Sequence, residues 1–116
     1  MSTDACVFCQ IARGQTDTAI LYRDDDVVVF RDIRPVAPLH LLVIPRRHVA
    51  SLLELQESDE ALISRMISVA RDLAVREGVE AGGYRLVMNT GPDAGQTVFH
   101  LHMHLLAGRQ MHWPPG

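Results

Sequence analysis

Apolar residues along this chain recur with two periods, and the change from one to the other marks out its elements. Between residues 58 and 77 the apolar positions Leu62, Ile63, Met66, Ile67, Ala70, Leu73 and Ala74 follow helical spacing, while Arg65, Arg71, Asp72 and Arg76 fall on other faces. This predicts one long amphipathic helix, opening near Ser58 and stopped by Gly78. Residues 19–22 and 27–31 flank the acidic turn Asp24-Asp25-Asp26 and read as a hairpin, its second arm rich in strand formers. Pro35 and Pro38 break the next connection, and a third strand is predicted over residues 39–44, ended by Pro45. Ser51-Leu52-Leu53-Glu54 has the form of a capping box and predicts a short helical turn. Residues 8–12 predict one or two helical turns closed by Arg13-Gly14. Residues 84–89 and 99–107 supply the last two strands, so the expectation is a small α+β fold: a five-stranded antiparallel sheet with one long and one short helix.

The chain has 116 residues, 47% of them hydrophobic, which fits one compact domain over residues 1–116 burying roughly two-thirds of its unfolded surface. A formal net charge of -3, with Arg46-Arg47 the only adjacent basic pair, gives no chain-wide attraction to nucleic acid or an anionic membrane. Any phosphate chemistry must therefore be local. Met1-Ser2-Thr3-Asp4 lacks a basic and apolar signal, no apolar run reaches bilayer length, and a cytoplasmic location is expected.

The stretch His100-Leu101-His102-Met103-His104 places three of the chain's six histidines at every second position. On a strand they would share one face, with neighbouring rings roughly 6–7 Å apart, while Leu101, Met103 and Leu105 enter a core. Two chemistries suit such a face. Three neutral imidazoles can hold a zinc ion with an open position, although same-face neighbours must bend to converge on one ion. Alternatively one ring attacks an electrophile while its neighbours bind the anion. Upstream, residues 89–97 offer glycines, amide donors and a hydroxyl, a loop suited to phosphate oxygens or to an ordinary hairpin connection. The loop and the histidines together favour phosphate. The two cysteines, Cys6 and Cys9, are two residues apart, a spacing used by metal sites and redox pairs. No strand precedes them, so metal is favoured over redox.

Gly95-Gln96-Thr97-Val98-Phe99-His100-Leu101-His102-Met103-His104-Leu105-Leu106 resembles the signature of histidine triad (HIT) proteins, His-φ-His-φ-His-φ-φ with φ apolar. Phe30-Arg31-Asp32-Ile33-Arg34-Pro35, His40-Leu41-Leu42-Val43-Ile44-Pro45 and the tail over residues 108–116, with Met111-His112-Trp113-Pro114-Pro115-Gly116, resemble the nucleotide-binding HINT branch in order and spacing. The resemblance implies a homodimer whose sheets join, and a hydrolase of purine nucleoside 5'-phosphoramidates, adenosine ones foremost, and related adenylates. By position, His102 would be the nucleophile, held through the backbone carbonyl of His100. His104 would donate to phosphate oxygens and help to protonate the leaving amine, and His40 would orient the set. Asn89, Thr97 and the amides from Gly95 through Gln96 to Val98 would position phosphate and leaving group; Thr97 stands where the family usually has serine. Asp32 would accept from both ribose hydroxyls, Phe8, Phe30, Ile33 and Leu42 would enclose the base, and Trp113 would lie near the partner subunit's active site. The cysteines match a zinc-bearing subset, implying a closed structural site of Cys6, Cys9, His48 and His100 and no catalytic metal or organic cofactor. Alternatives are a dinucleoside polyphosphate hydrolase or nucleotidyl transferase using the same histidine, and a nucleotide-binding scaffold.

Overall fold

A computed structural model describes residues 5–116. The opening tetrapeptide, and with it the reading of Met1-Ser2-Thr3-Asp4, lies outside the described residues. The order is α1 (Val7–Ala12), β1 (Ile20–Arg23), β2 (Val27–Arg31), β3 (Leu39–Pro45), α2 (Glu60–Arg76), β4 (Tyr84–Val87) and β5 (Met103–Ala107), with short 3₁₀ turns at Leu52–Glu54 and Glu57–Asp59. The strands form one antiparallel sheet in the order β1-β2-β3-β5-β4, an α+β arrangement as the sequence predicts. Among the described residues no helix is long and apolar enough to cross a membrane.

Both faces of the sheet are covered. Val27, Val29, Leu41, Val43 and Leu105 pack with Met66, Val69, Ala70 and Leu73 of α2. Val28, Phe30, Leu42 and Ile44 pack with Cys6, Phe8, Cys9 and Ile11 around α1. This is why Val27-Val28-Val29-Phe30 is an unbroken apolar run: a central strand covered on both faces has no water-facing side. Burial of side chains such as Phe8 and Ile11 stabilises the fold by roughly 1.5–3 kcal/mol each. A six-residue helix is too short to persist on propensity alone, so α1 exists because of this contact and its cap. The cap is the Cys6 sulfur, which accepts the Cys9 N–H at 3.3 Å.

The structure departs from the sequence reading at five places. The long helix begins at Glu60 after a 3₁₀ turn, and the reciprocal capping contact is that of Asp59, whose carboxylate accepts the Gln56 N–H at 2.8 Å. Ser51 caps too, its hydroxyl accepting the Leu53 N–H at 3.2 Å. The buried stripe of α2 keeps the predicted Met66, Ala70, Leu73 and Ala74, adds Val69, 1% exposed, and leaves Ile67 47% exposed. The fifth strand covers Met103–Ala107 and not residues 99–107. Its ladder with β3 ends at the pair Val43↔Met103, and Leu101 N–H turns instead to Val49 O at 2.6 Å. With its partner shortened, β4 stops at Val87. Pro45 is the last residue of β3, paired with Val27.

At the hairpin, Asp24 Oδ1 accepts the N–H groups of Asp26 and Val27 at 2.7 and 2.8 Å, and Arg65 of α2 reaches Oδ2 at 2.9 Å. Burial pushes the Asp24 carboxyl up, but hydrogen bonds from Tyr22, the Asp26 amide, Arg65 and the Val27 amide outweigh it and hold the group at about 2.

Candidate functional site: a histidine cluster beside a thiol–imidazole group

The three histidines do not share one strand face. His102 and His104 stand together with ring centroids 5.0 Å apart, closer than the strand repeat implies. His100 lies in the bend before β5, is 0% exposed, and turns its ring toward Cys6, Cys9 and His48. The physical reason is the early end of the ladder: outside the pleat, alternation no longer fixes side-chain direction. Leu101, Met103 and Leu105 are buried, as the alternation predicts.

Hydrogen bonds assign the proton positions. His102 Nδ1 is 2.7 Å from the His100 carbonyl, which can only accept, so Nδ1 carries the hydrogen and Nε2 of the neutral ring has its lone pair free. His40 Nδ1 accepts the Val36 N–H at 3.1 Å, so its Nε2 carries the hydrogen. That nitrogen is 2.8 Å from His104 Nδ1 and 3.4 Å from Asp32 Oδ2. His104 must therefore accept at Nδ1 and present Nε2–H outward. One free lone pair and one N–H thus stand on neighbouring rings. Burial, reinforced by the charges of His102 and His40 and opposed by Asp32, lowers His104 to about 4, and burial likewise lowers His40 against the pull of Asp32. His104 is a neutral donor near neutral pH.

Two groups of side chains gather potential metal donors: Cys6, Cys9, His48 and His100, and separately Asp32, His40 and His104. The proton positions tell them apart. In the first group His100 Nε2–H donates to Pro45 O at 2.8 Å, leaving Nδ1 as a lone pair facing the sulfurs. Its Nδ1 is 3.3 Å from Cys6 Sγ and 3.5 Å from Cys9 Sγ, and His48 Nδ1 is 3.2 Å from Cys9 Sγ. A tetrahedral zinc with Zn–S of about 2.3 Å and Zn–N of about 2.0–2.1 Å separates sulfur from nitrogen by roughly 3.5 Å, so this group fits. In the second, His40 cannot bind an ion through Nε2 without moving its hydrogen to Nδ1, directly against the Val36 N–H. That group is a hydrogen-bond chain. Burial, with Cys6 alongside, pushes the Cys9 thiol up to about 11.

A cleft of about 400 Å³ opens beside the histidines, lined among others by Phe8, Phe30, Asp32, Ile33, Leu42, Thr97 and Val98. Phe8 joins the two regions, its ring lying edge-on to both His102 and Phe30 at centroid distances of 5.2 and 5.5 Å. Ile33 is 90% exposed and stands at the rim. Asn89 is half-buried two residues beyond β4. Two expected residues are placed otherwise. Gln96 is buried, its side chain spanning Gly91 N, Ala50 O and Val98 O at 3.0, 2.8 and 3.2 Å, and its own N–H going to Gly91 O at 3.1 Å, so it braces the loop from within. The Gly95 N–H is likewise taken, by Pro92 O at 3.0 Å. Trp113 is 83% exposed in the tail, where Arg85 holds His112 O at 3.0 Å. The Val36 amide and the Pro45 carbonyl, both backbone groups, were missed by sequence reasoning. So was Thr90, whose Oγ1 is buried without a hydrogen-bond partner among the described residues.

The sequence model of the family described as "Scavenger mRNA decapping enzyme C-term binding" matches residues 5–113. An uncharacterized HIT-like protein of Synechococcus elongatus is 47% identical over 116 residues, the whole of both chains. The chain belongs to the histidine triad family. Among solved structures, a HIT family hydrolase from Legionella pneumophila Philadelphia 1 is 46% identical with a TM-score of 0.93, over 96% of this chain and 99% of that one. A zinc-bound histidine triad family protein from Mycobacterium smegmatis is 32% identical with a TM-score of 0.79, over 93% of this chain and 78% of that one. As a hydrolase-like HIT protein, the chain carries the thiol–imidazole group as a set that could bind a metal.

Proposed function

We propose that this HIT protein hydrolyses purine nucleoside 5'-phosphoramidates and related adenylates through a nucleotidyl intermediate on His102. The observation that carries the reading is the His102 Nδ1–H···His100 carbonyl contact at 2.7 Å, which aims a free Nε2 lone pair outward. Nε2 attacks phosphorus as the P–N bond breaks, and the departing nitrogen takes a proton from water. The Nδ1–H stays on the carbonyl, which stabilises the positive ring of the intermediate. His104 Nε2–H donates to a phosphate oxygen as its charge grows, with His40 and Val36 fixing the tautomer. Water then displaces the histidine and releases the nucleoside monophosphate. Asp32 and the apolar cleft take ribose and base; phosphate and leaving group are assigned to Thr97 and Val98, which line the cleft, and to Asn89.

Zinc is assigned to Cys6, Cys9, His48 and His100. The donor set, its spacing and the zinc-bound mycobacterial relative support this. Four protein ligands leave no open position, so the ion supplies cross-linking of the N-terminal segment to the histidine loop and no step of the reaction. The protein acts as one domain in a cytoplasmic homodimer, a reading supported by β4, an antiparallel edge strand able to pair with a second copy.

The test is mass spectrometry of protein quenched during turnover of an adenosine phosphoramidate, comparing wild type with His102→Asn. A transient nucleotidyl adduct on wild type and none on the variant is expected; equal turnover by both removes the reading. The decapping enzyme in the matched family's description favours a second substrate class, pyrophosphate-linked dinucleotides, which pass through the same adduct and differ in leaving group. Turnover of both classes side by side decides between them, and sedimentation at micromolar concentration tests the dimer.

A further inference from the structure

The polar side chains around the base end of the cleft are mostly occupied. Arg31 lines it but is held by Glu77 at 2.9 Å. Asp32 uses Oδ1 to accept the Arg34 N–H at 2.8 Å and sets Oδ2 3.4 Å from His40. Thr18 Oγ1 accepts from Thr16 at 3.0 Å and keeps its own hydrogen to give. Arg34 differs: it lines the same cleft, and its guanidinium has no partner among the described residues.

We infer that Arg34 reads the edge of the bound base and makes the site prefer a 6-oxopurine, guanine, to adenine. This deepens the hydrolase reading by naming the base, and it rests on that reading for the placement of ribose at Asp32. The turn pinned by Asp32 Oδ1 brings Arg34 two residues beyond the ribose position, beside the rim residue Ile33. The planar guanidinium offers two parallel N–H donors and no acceptor. Guanine presents two acceptors, O6 and N7, on one edge and matches that fork; adenine replaces O6 with an amino group that points hydrogens at it. The Thr18 hydroxyl keeps its hydrogen and one lone pair free, so it can meet either base and leaves the discrimination to Arg34. A phosphate on the ribose is the other anionic partner a free arginine suits, but it would have to sit against the Asp32 carboxylate, a like charge.

The experiment is calorimetric binding of GMP and AMP to the full chain, for wild type, R34Q and R34K. Bidentate recognition at an exposed site should give wild type about a tenfold tighter grip on GMP. R34Q should weaken GMP alone and bring the two nucleotides within about twofold, and R34K, which keeps the charge but loses the fork, should do nearly the same. Equal binding of both nucleotides by wild type, or a preference that survives in R34Q, overturns the inference. So does an equal loss for both, which would mean simple attraction to phosphate. Adduct formation with guanosine and adenosine phosphoramidates separates the two claims: a base preference without any adduct removes the hydrolase reading alone, and an adduct without preference removes Arg34 as reader.

Discussion

Gly108 follows β5 in a backbone conformation with φ +94°, and a methyl group built there would lie 2.8 Å from Pro38 Cβ, 3.1 Å from Cγ and 3.5 Å from Cδ. The pinch matters because Pro38 and Gly108 flank the register pair Leu39↔Ala107, one step from His40↔Leu106. Gly108→Ala meets two costs: about 1–3 kcal/mol for a non-glycine residue at positive φ, and about 1–3 kcal/mol for overpacking against a ring that cannot rotate away. The sum, roughly 2–6 kcal/mol, corresponds to a drop in Tm of roughly 10–30 °C for a chain of this size. Gly83→Ala is the matched control, with φ +92° and nothing within 4 Å of the added methyl, so it should show the backbone cost alone. The second variable is Pro38. Pro38→Ala leaves the 2.8 Å Cβ contact in place and should not rescue Gly108→Ala, whereas Pro38→Gly should recover part of the loss. Thermal melts followed by circular dichroism read Gly108→Ala, Gly83→Ala and the two double variants. If Gly108→Ala melts no lower than Gly83→Ala, the close approach of these two segments is not as described.

His40→Phe keeps the buried volume but removes the donor to His104, and we expect kcat to fall about 10²-fold or more with KM little changed; His40→Gln, which retains an N–H, should recover part of that in steady-state kinetics. Stripping metal with a chelator, or Cys9→Ser, should release one zinc per chain by elemental analysis and lower Tm by on the order of 10 °C or more. An unchanged melt on metal loss would leave the thiol–imidazole group without its structural role. The acid side of the stability profile should fall in two stages, read by denaturant unfolding at stepped pH. Because His104 is lowered from 6.5 to about 4 in the fold, the unfolded chain binds its proton first, and stability declines as pH falls from about 6.5 toward 4. Below that, Asp24, lowered from 3.8 to about 2, resists protonation only in the fold, and its contribution is lost as pH falls through about 2. A flat profile between pH 6.5 and 4 would contradict the burial of the histidine pair.

Sequence pattern carried most of the architecture, because periodicity reports which side of an element meets the core. Val27-Val28-Val29-Phe30 read as a strand from its strand formers, and the alternation of Leu101, Met103 and Leu105 held even where the ladder did not. The pattern was misleading where tertiary contacts override the local rule. The end of the β3–β5 ladder at Val43↔Met103 and the thiol group together turned His100 off the shared face. In α2 the core takes Val69 beside Ala70 and leaves Ile67 at the edge of the stripe, a choice at the margin of an apolar face that spacing alone does not make. Gln96 shows a different limit: an amide in a glycine-bearing loop looks the same in sequence whether it faces a ligand or braces the loop, and only its bonds to Ala50 and Val98 decide. The Val36 amide that sets the His40 tautomer has no residue-type signature at all.

His100 faces two ways: its ring belongs to the sulfur group while its own carbonyl fixes the ring two residues on. The portable unit of this chemistry is therefore larger than three imidazoles. A designer who grafted the histidine motif onto another sheet without Cys6, Cys9, His48 and the Pro45 carbonyl would leave a buried ring with no anchor, and the peptide group behind it free to swing. What looks like a remote staple is the bearing that sets the direction of the His102 ring.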